Sequence, residues 1–185
     1  MLTFDVATHV YSDPETGVIY PSVTQVIKEA GLLGWTVQDD ADWYMDRGSA
    51  VHEATALWDR GILDESTLDP QIRPYLDAWI KFRKESGYSP KIIEKPLLHV
   101  TYRYAGTIDR DCIEIKTGQY APWHSLQIAA YAHLIDMQHK HWTSVYLHED
   151  GRYMTKTHTP IDIHNAFKIF TAALTIVNWK RENMK

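Results

Sequence analysis

The sequence predicts a single α/β domain in which a mixed sheet is flanked by helices. With 185 residues, 44% hydrophobic side chains and 23% charged ones, the chain is long and apolar enough to bury one sizeable core. Apolar residues recur at helical spacing in several stretches, whereas residues 91–118 are rich in β-branched and aromatic residues and poor in helix signals. The chain has no repeat, linker or low-complexity tract, so residues 1–185 are predicted to form one domain.

Residues 1–87 are predicted to form a hairpin followed by three helices. Ser22 is suited to cap the first helix and Gly31 to end it. Pro70 opens the third helix and Gly87 ends it. The predicted elements are a hairpin over residues 9–22 and helices over residues 23–30, 40–59 and 71–86.

Residues 88–185 are predicted to hold the main sheet and two further helices. Two or three strands occupy residues 91–118, and Pro122 begins a helix that continues to residue 137. A second hairpin, over residues 143–159, turns at Glu149-Asp150-Gly151. The last helix begins at Ile161, and its predicted apolar positions are Ala166, Ile169, Phe170, Ala173, Ile176 and Val177.

Composition excludes several classes of protein. The one cysteine, Cys112, cannot form an internal disulfide or a four-cysteine zinc or iron–sulfur site from this chain alone. No apolar run approaches the ~20 residues of a membrane span, and the first residues lack a basic region followed by an apolar stretch. The sequence therefore predicts a soluble, cytoplasmic protein with no membrane partner.

Charge is distributed unevenly along the chain. The formal net charge of −5 argues by itself against a nucleic-acid partner. Residues 13–65 carry eleven acidic and three basic side chains, whereas residues 81–103 carry six basic side chains against Glu85 and Glu94. This mild basic stripe is either a solvated helix face or a set of phosphate contacts. Its members are Lys81, Arg83, Lys84, Lys91, Lys95 and Arg103.

The stretch of residues 105–118 gathers charged side chains on one face of two predicted strands. If residues 107–109 and 112–116 pair in antiparallel fashion around a two-residue turn at Arg110-Asp111, Asp109 lies opposite Cys112. The carboxylates of Asp109 and Glu114 are then diagonal neighbours, ~7–8 Å apart at Cα. Two groups of residues project to opposite faces, namely Asp109, Glu114 and Lys116 on one and Ile108, Ile113 and Ile115 on the other.

Two carboxylates and an amine on one face indicate phosphodiester hydrolysis. Asp109 and Glu114 are hard oxygen ligands suited to Mg²⁺ or Mn²⁺, and Lys116 is close enough to orient or deprotonate a water. Taken alone, however, Glu114 and Lys116 fit equally well with a surface ion pair on a half-exposed strand.

Three further features favour the hydrolytic interpretation. Thr117-Gly118 ends the strand and lets the backbone approach a ligand closely. Gln127 and Tyr131 lie four residues apart on one helix face, where they either support the lysine or are a surface glutamine and a buried tyrosine. Gly48 and His52 have the same spacing on an earlier helix, so a small residue there lets His52 reach the metal.

Four short motifs occur in a fixed order along the chain. They are Gly-Ser-Ala-Val-His at 48–52, Gly-Thr-Ile-Asp-Arg at 106–110, Glu-Ile-Lys-Thr-Gly at 114–118 and Gln-Ile-Ala-Ala-Tyr at 127–131. Together they resemble the motifs of the RecB-type branch of the PD-(D/E)XK nuclease superfamily. Residues 21–27, Pro-Ser-Val-Thr-Gln-Val-Ile, are similar to the start of small phage-type members. The resemblance covers roughly residues 20–131.

The resemblance implies a restriction-endonuclease-like core and a deoxyribonuclease that uses Mg²⁺ or Mn²⁺. It implies an exonuclease of recombination, repair or phage DNA processing, acting on single- or double-stranded DNA ends in a bacterial or phage-infected cell. A single-strand annealing or recombination protein is a further partner that it suggests. Lys116 would be the catalytic lysine, supported by Gln127 and Tyr131. The implied metal ligands are His52, Asp109, Glu114 and the backbone carbonyl of Ile115, with Glu94 matching a further acidic position.

The sequence departs from its relatives at two points. Many relatives carry Asp where Glu114 stands, an exchange that lengthens the side chain by one methylene. Some relatives also hold an iron–sulfur cluster, which the single Cys112 cannot build, so we expect no such cluster here.

Two alternatives remain open from the sequence. The first is a catalytically silent nucleic-acid-binding module, in which aromatic residues between the basic residues stack on bases. Those aromatic residues are Trp79, Phe82, Tyr88, Tyr102 and Tyr104. The second is a zinc hydrolase, although the spacing of its candidate ligands matches no established pattern. Those candidates are His133, His139, His141 and His148.

Overall fold

The structure is a computed structural model that describes residues 2–5, 8, 10–33 and 41–184, with the backbone alone for residues 41–45. The strands are β1 (Thr3–Asp5), β2 (Val10–Ser12), β3 (Ile19–Tyr20), β4 (Ile93–His99), β5 (Tyr104–Arg110), β6 (Ile113–Lys116), β7 (Trp142–Leu147) and β8 (Tyr153–His158). The helices are α1 (Val23–Glu29), α2 (Ala41–Asp59), α3 (Arg73–Ser86), α4 (His124–Leu134) and α5 (Pro160–Asn183), with a 3₁₀ turn at Glu65–Thr67.

The main sheet has five strands in the order β4-β5-β6-β7-β8. Its neighbours are antiparallel except β6 and β7, which run parallel and are connected through α4. A parallel pair needs such a crossover, so α4 is placed against the sheet next to β6. Strands β1 to β3 form a separate antiparallel sheet. The predicted mixed sheet flanked by helices is confirmed.

Helices cover both faces of the main sheet and bury two apolar clusters. Helices α1, α4 and α5 enclose the larger cluster, which includes Ile108, and α2 and α3 enclose the smaller one, which includes Ile113 and Ile115. The prediction that these three isoleucines share a face is therefore wrong, although all three are buried.

The N-terminal elements follow the prediction closely. Strands β2 and β3 form the expected hairpin, and β1 adds a third strand to it. The Ser22 side chain caps α1 by accepting from the Gln25 backbone N–H, while the Gln25 side chain accepts from the Ser22 backbone N–H. Gly31 follows α1 with φ +77°, a conformation that favours glycine. Positions 9 and 40 of the predicted hairpin and helix lie outside the described residues.

Several helix boundaries differ from the prediction by one to three residues. Helix α3 begins at Arg73 because residues 69–72 form a preceding turn, with Pro74 in the first helical turn. Helix α4 ends at Leu134. In α5, Ile169 and Ile176 are 53% and 52% exposed, so the prediction that they face the core is wrong.

The turn between β5 and β6 lies one residue later than predicted. Arg110 pairs with Ile113, so Asp111 and Cys112 form the turn, with Cys112 at φ +61°. Arg110 therefore belongs to the strand, and its side chain is fully buried. The turn still contains two residues, although Ile108 packs in a different cluster from Ile113 and Ile115. None of the described helices has the length and apolarity needed to cross a membrane.

Candidate functional site

Five elements converge where β5 and β6 begin to separate. Helix α2 supplies His52, strand β4 supplies Glu94 and strand β5 supplies Asp109. Strand β6 supplies Glu114 and Lys116. Helix α4, which crosses from β6 to β7, supplies Gln127 and Tyr131. The fold thus assembles all of the predicted side chains from segments that span 80 positions of the sequence, from 52 to 131.

Three potential metal ligands form a tight group. One ligand atom each from His52, Glu94 and Asp109 lies within 4.8 Å of the other two. The Nδ1 atom of His52 is 3.4 Å from Oε1 of Glu94 and 3.3 Å from Oδ1 of Asp109. Glu94 has φ +46° within β4, a left-handed conformation that is unfavourable for a residue with a side chain. The structure places Glu94, which the resemblance matches to a further acidic position, beside His52 and Asp109.

The Asp109 carboxylate lies between β5 and β6. Its Oδ2 accepts a 2.8 Å hydrogen bond from the backbone N–H of Ile115, and its Oδ1 faces His52. Burial by itself would raise the pKa of Asp109, but His52 and then Lys116 lower it below its usual value. The same carboxylate, with Glu94, outweighs the effect of burial on His52 and raises the pKa of that imidazole to about 10.

Glu114 is buried next to this group. Its Oε1 accepts a 2.8 Å hydrogen bond from Nζ of Lys116, while its Oε2 is buried with no hydrogen-bond partner among the described residues. Burial and then the charge of Asp109 raise the pKa of Glu114 to about 8, despite Lys116. Glu114 is not a member of the group of ligand atoms within 4.8 Å. Ile115 is fully buried, and a ligand role for its carbonyl stays a prediction.

Lys116 belongs to a chain of hydrogen bonds that runs onto α4. Its Nζ donates to Oε1 of Gln127 at 2.6 Å, and Nε2 of Gln127 donates to the hydroxyl of Tyr131 at 3.0 Å. Gln127 and Tyr131 are both 6% exposed. Glu114 is 1% exposed, so the alternative of a surface ion pair on a half-exposed strand is wrong, as is that of a surface glutamine.

Arg110, a buried residue that the sequence analysis did not predict to contact the site, binds two members of this group. Nη1 of Arg110 is 3.1 Å from Oε1 of Glu94 and 2.6 Å from the carbonyl oxygen of Asp109. Its Nε donates to Oδ2 of Asp59 at 2.6 Å, and Asp59 is also paired with Arg83. Arg110 therefore contacts two of the three grouped ligands. The sequence gives no signal for this, because Asp59 lies 51 positions before Arg110.

The structure leaves few of the predicted stacking residues available. Trp79, Phe82 and Tyr104 are core residues, with exposed fractions of 0%, 6% and 0%. The Tyr88 hydroxyl donates to the backbone carbonyl of Asp111, which leaves Tyr102 as the exposed member of the set. The prediction that these rings lie between the basic residues on a binding face is therefore wrong for three of the five.

The four histidines proposed as zinc ligands do not form a group among the residues that the structure describes. His133, for example, stacks on the Phe167 ring with centroids 3.5 Å apart, and its role is in packing.

The donors around Asp109 fit a hard divalent cation. Carboxylate oxygens are the ligands that Mg²⁺ and Mn²⁺ prefer, and an imidazole suits Mn²⁺. The unpaired Oε2 of Glu114 and the repulsion between Asp109 and Glu114 are both relieved by a nearby positive charge.

The fold and site thus define a mixed α/β chain with a buried group of acidic residues beside a lysine. A scan against models of known protein families finds no match to this chain, and a search of curated proteins finds none either.

Proposed function

We propose that this protein is a Mg²⁺- or Mn²⁺-dependent deoxyribonuclease of the PD-(D/E)XK type. The observation that carries the proposal is the grouping of ligand atoms from His52, Glu94 and Asp109 within 4.8 Å, next to an ammonium held by Glu114. Four ordered motifs resemble the RecB-type branch of that superfamily, and their residues lie together in this site.

His52, Glu94 and Asp109, with Glu114 beside them, would hold the cation. When bound, such a cation supplies charge neutralisation at the scissile phosphate and lowers the pKa of a coordinated water. Arg110 holds Glu94 and the backbone of Asp109 in place, which fixes two of these ligands.

Lys116 would orient or deprotonate the attacking water, or contact a phosphate oxygen. Its Nζ is held by Glu114 and Gln127, and the Tyr131 hydroxyl holds the other end of the Gln127 amide. Because Gln127 and Tyr131 are buried, the ammonium is presented from a fixed position, which limits the entropy lost in reaching the transition state.

The proposal is tested by incubating the protein with end-labelled linear DNA and with closed circular DNA, in Mn²⁺, in Mg²⁺ and in EDTA. We expect metal-dependent cleavage that EDTA abolishes, and release of short products from the linear substrate alone if the enzyme is an exonuclease. We expect Asp109→Ala and Lys116→Met to lose at least 100-fold in rate, consistent with the usual effect of removing one catalytic group.

Lys140→Met is the matched control for Lys116→Met, because Lys140 is an exposed lysine in the loop after α4. Equal thermal unfolding midpoints for the variants and the wild type exclude misfolding as the cause of any loss. Cleavage at the wild-type rate by Asp109→Ala and Lys116→Met, or no cleavage with either metal, would overturn the proposal.

The second candidate is a nucleic-acid-binding module that does not cleave. The observation that favours it is the exposure of five basic residues of the 81–103 stripe, while Arg83 alone is engaged with buried Asp59. These exposed residues are Lys81, Lys84, Lys91, Lys95 and Arg103. Salt-sensitive DNA binding without cleavage in any divalent metal would favour this candidate.

A further inference from the structure

Aromatic residues outside the candidate metal centre lie directly beside Lys116. The segment of residues 117–123 leads from β6 to α4 and carries Tyr120 and Trp123. The Lys116 Nζ is 5.4 Å from the ring centroid of Trp123, so this segment lies next to the proposed catalytic lysine. Tyr120 is 47% exposed, a large fraction for an aromatic residue so close to a buried site.

A second lysine, on the edge strand β8, contacts the Tyr120 ring. The Nζ of Lys156, on β8, lies over one face of the Tyr120 ring, 3.5 Å from the ring centroid. Glu114 lies opposite Ser144 on β7, and Ser144 lies opposite Lys156, so these three residues share one face of the sheet. Two strand spacings, about 10 Å, separate the Glu114 and Lys156 backbones.

The Tyr120 ring lies against two buried rings. Its centroid is 6.1 Å from that of His124 and 6.4 Å from that of Tyr146, with the ring planes nearly perpendicular in both pairs. His124 and Tyr146 are themselves buried and joined by a 3.0 Å hydrogen bond from the Tyr146 hydroxyl to Nδ1. An aromatic ring that contacts two buried rings and is almost half exposed is suited to stack on a planar ligand.

We propose that this surface is a subsite for an unpaired DNA strand, in which a base stacks on the face of Tyr120 opposite Lys156 and a phosphate contacts Lys156. The proposal rests on the proposed function, since Lys116 places the scissile phosphate at one end of the surface. The separation of about 10 Å corresponds to roughly three stacked nucleotide steps, so Tyr120 and Lys156 lie within reach of the nucleotides next to the cleavage site.

The chemistry selects an unpaired strand over a duplex. A side-chain ring stacks on the face of a base only where that face is not covered by its neighbours, as in single strands and frayed ends. A duplex presents phosphates to Lys156 but no open base to Tyr120. The subsite would therefore direct the enzyme to single-stranded ends.

The test measures DNA binding in EDTA, where no cleavage takes place. The probes are a fluorescent oligothymidylate, the same strand with abasic positions, and a blunt duplex of equal length. We expect the wild type to bind the oligothymidylate most tightly. Tyr120→Ala should weaken that binding by roughly 5- to 100-fold, the range for loss of one base–aromatic stack, whereas Tyr120→Phe should keep it.

The abasic strand separates stacking from charge. The affinity of the wild type for the abasic strand should equal the affinity of Tyr120→Ala for the oligothymidylate. The Tyr120→Ala variant should bind the abasic strand and the oligothymidylate equally well. Lys156→Met should lower the slope of log affinity against log salt concentration by about 0.7, the value for one phosphate contact on a single strand. Trp179→Ala, which removes a 59% exposed ring from α5, is the matched control and should bind like the wild type.

Wild-type affinity of Tyr120→Ala for the oligothymidylate overturns the subsite, as does equal binding of the intact and abasic strands by the wild-type protein. Tighter binding of the duplex overturns the preference for an unpaired strand. Because every measurement is made in EDTA, absent cleavage would refute the proposed hydrolysis without affecting this result. Conversely, cleavage with unchanged binding by Tyr120→Ala would refute the subsite alone.

Discussion

Arg110 illustrates how one buried side chain connects the core to the candidate site. Its guanidinium is fully buried, pairs with the buried carboxylate of Asp59 and lies 5.5 Å from the centroid of the Trp79 ring. It also contacts Glu94 and the backbone of Asp109. A fixed guanidinium of this kind holds planar acceptors in defined positions, which a lysine does not reproduce.

At the scale of single residues, we predict that Arg110→Met destabilises the protein by about 3 kcal/mol. This is the lower end of the range for breaking a buried ion pair, because Arg83 still contacts Asp59 in the variant. Urea unfolding measures the change. The matched control is Arg73→Met, which removes an exposed pair with Glu65 and Asp77 and should lower stability much less. Equal losses in the two variants would contradict the assigned role of Arg110.

A second prediction at this scale concerns metal binding without DNA. Mn²⁺ should raise the thermal unfolding midpoint of the wild type, because binding to the folded state alone stabilises it by about 2.7 kcal/mol at 100 times Kd. Asp109→Asn should lose most of this shift, since it removes a charged ligand while keeping an acceptor for the Ile115 N–H. Asp77→Asn, at an exposed carboxylate on α3, should keep it. A Mn²⁺ shift of wild-type size in Asp109→Asn would count against this metal centre.

At the scale of elements, the position of α4 depends on small residues at its contact with the sheet. Ala129, Ala130 and Ala132 are buried on α4, and Gly106 lies opposite on β5. A Cβ atom at Gly106 would lie 2.7 Å from Cε1 of Tyr131, too close for a real contact. Gly106 therefore lets α4 approach the sheet and bring Gln127 and Tyr131 to Lys116.

We therefore predict that Gly106→Ala destabilises the protein by about 1–3 kcal/mol, the usual cost of overpacking a core. Because Tyr131 must move, the variant should also cleave DNA more slowly than its loss of stability explains. Gly118→Ala is the matched control for the change in stability, since a Cβ atom there meets nothing within 4 Å. Unfolding in urea and single-turnover cleavage are the two measurements. An undiminished rate in Gly106→Ala would show that Tyr131 does not depend on this contact.

At the scale of the whole molecule, several buried or half-buried histidines have a lowered pKa. Burial lowers the pKa of His99, His133 and His158, and it lowers that of His124 to about 3, with Lys116 adding to the effect. His124 is held neutral by geometry as well, because its Nδ1 accepts from the Ala121 backbone N–H.

The stabilising contribution of neutral His124 should therefore be lost as the pH is lowered below about 6.5, while Glu114, with its raised pKa, acts in the opposite direction. Above that pH both folded and unfolded states carry neutral histidine, whereas below it the unfolded chain binds a proton that folded His124 does not. The contribution of His124 is about 1.4 kcal/mol per pH unit, or about 2 kcal/mol between pH 6.5 and 5. Urea unfolding at several pH values measures it.

His124→Asn tests the assignment, because it keeps an acceptor near Nδ1 but does not titrate. The free energy of unfolding of this variant should depend less steeply on pH over the same interval. The opposite result, an unchanged slope, would assign the pH dependence to the other buried histidines.

Much of the molecule follows from local sequence signals. The cap of α1 at Ser22, the turn at Gly87 and the β7–β8 hairpin depend on neighbouring residues, so short-range rules predict them. The structure places Glu94 and His52 beside Asp109, while the sequence relates them only through motifs far apart in the chain. The β5–β6 turn was misplaced by one residue because nothing near Arg110 indicates that its side chain is buried.

By itself the sequence determined the fold class, the order of the elements and the set of side chains that meet at β5 and β6. Periodicity and capping are local properties, and short-range rules predict them. Only the tertiary structure decided that Glu114 is buried, that Arg110 spans Asp59 and Glu94, and that Tyr120 stands exposed beside Lys156. These contacts join residues far apart in the chain. They depend on how the helices and strands pack, and the neighbouring sequence does not encode them.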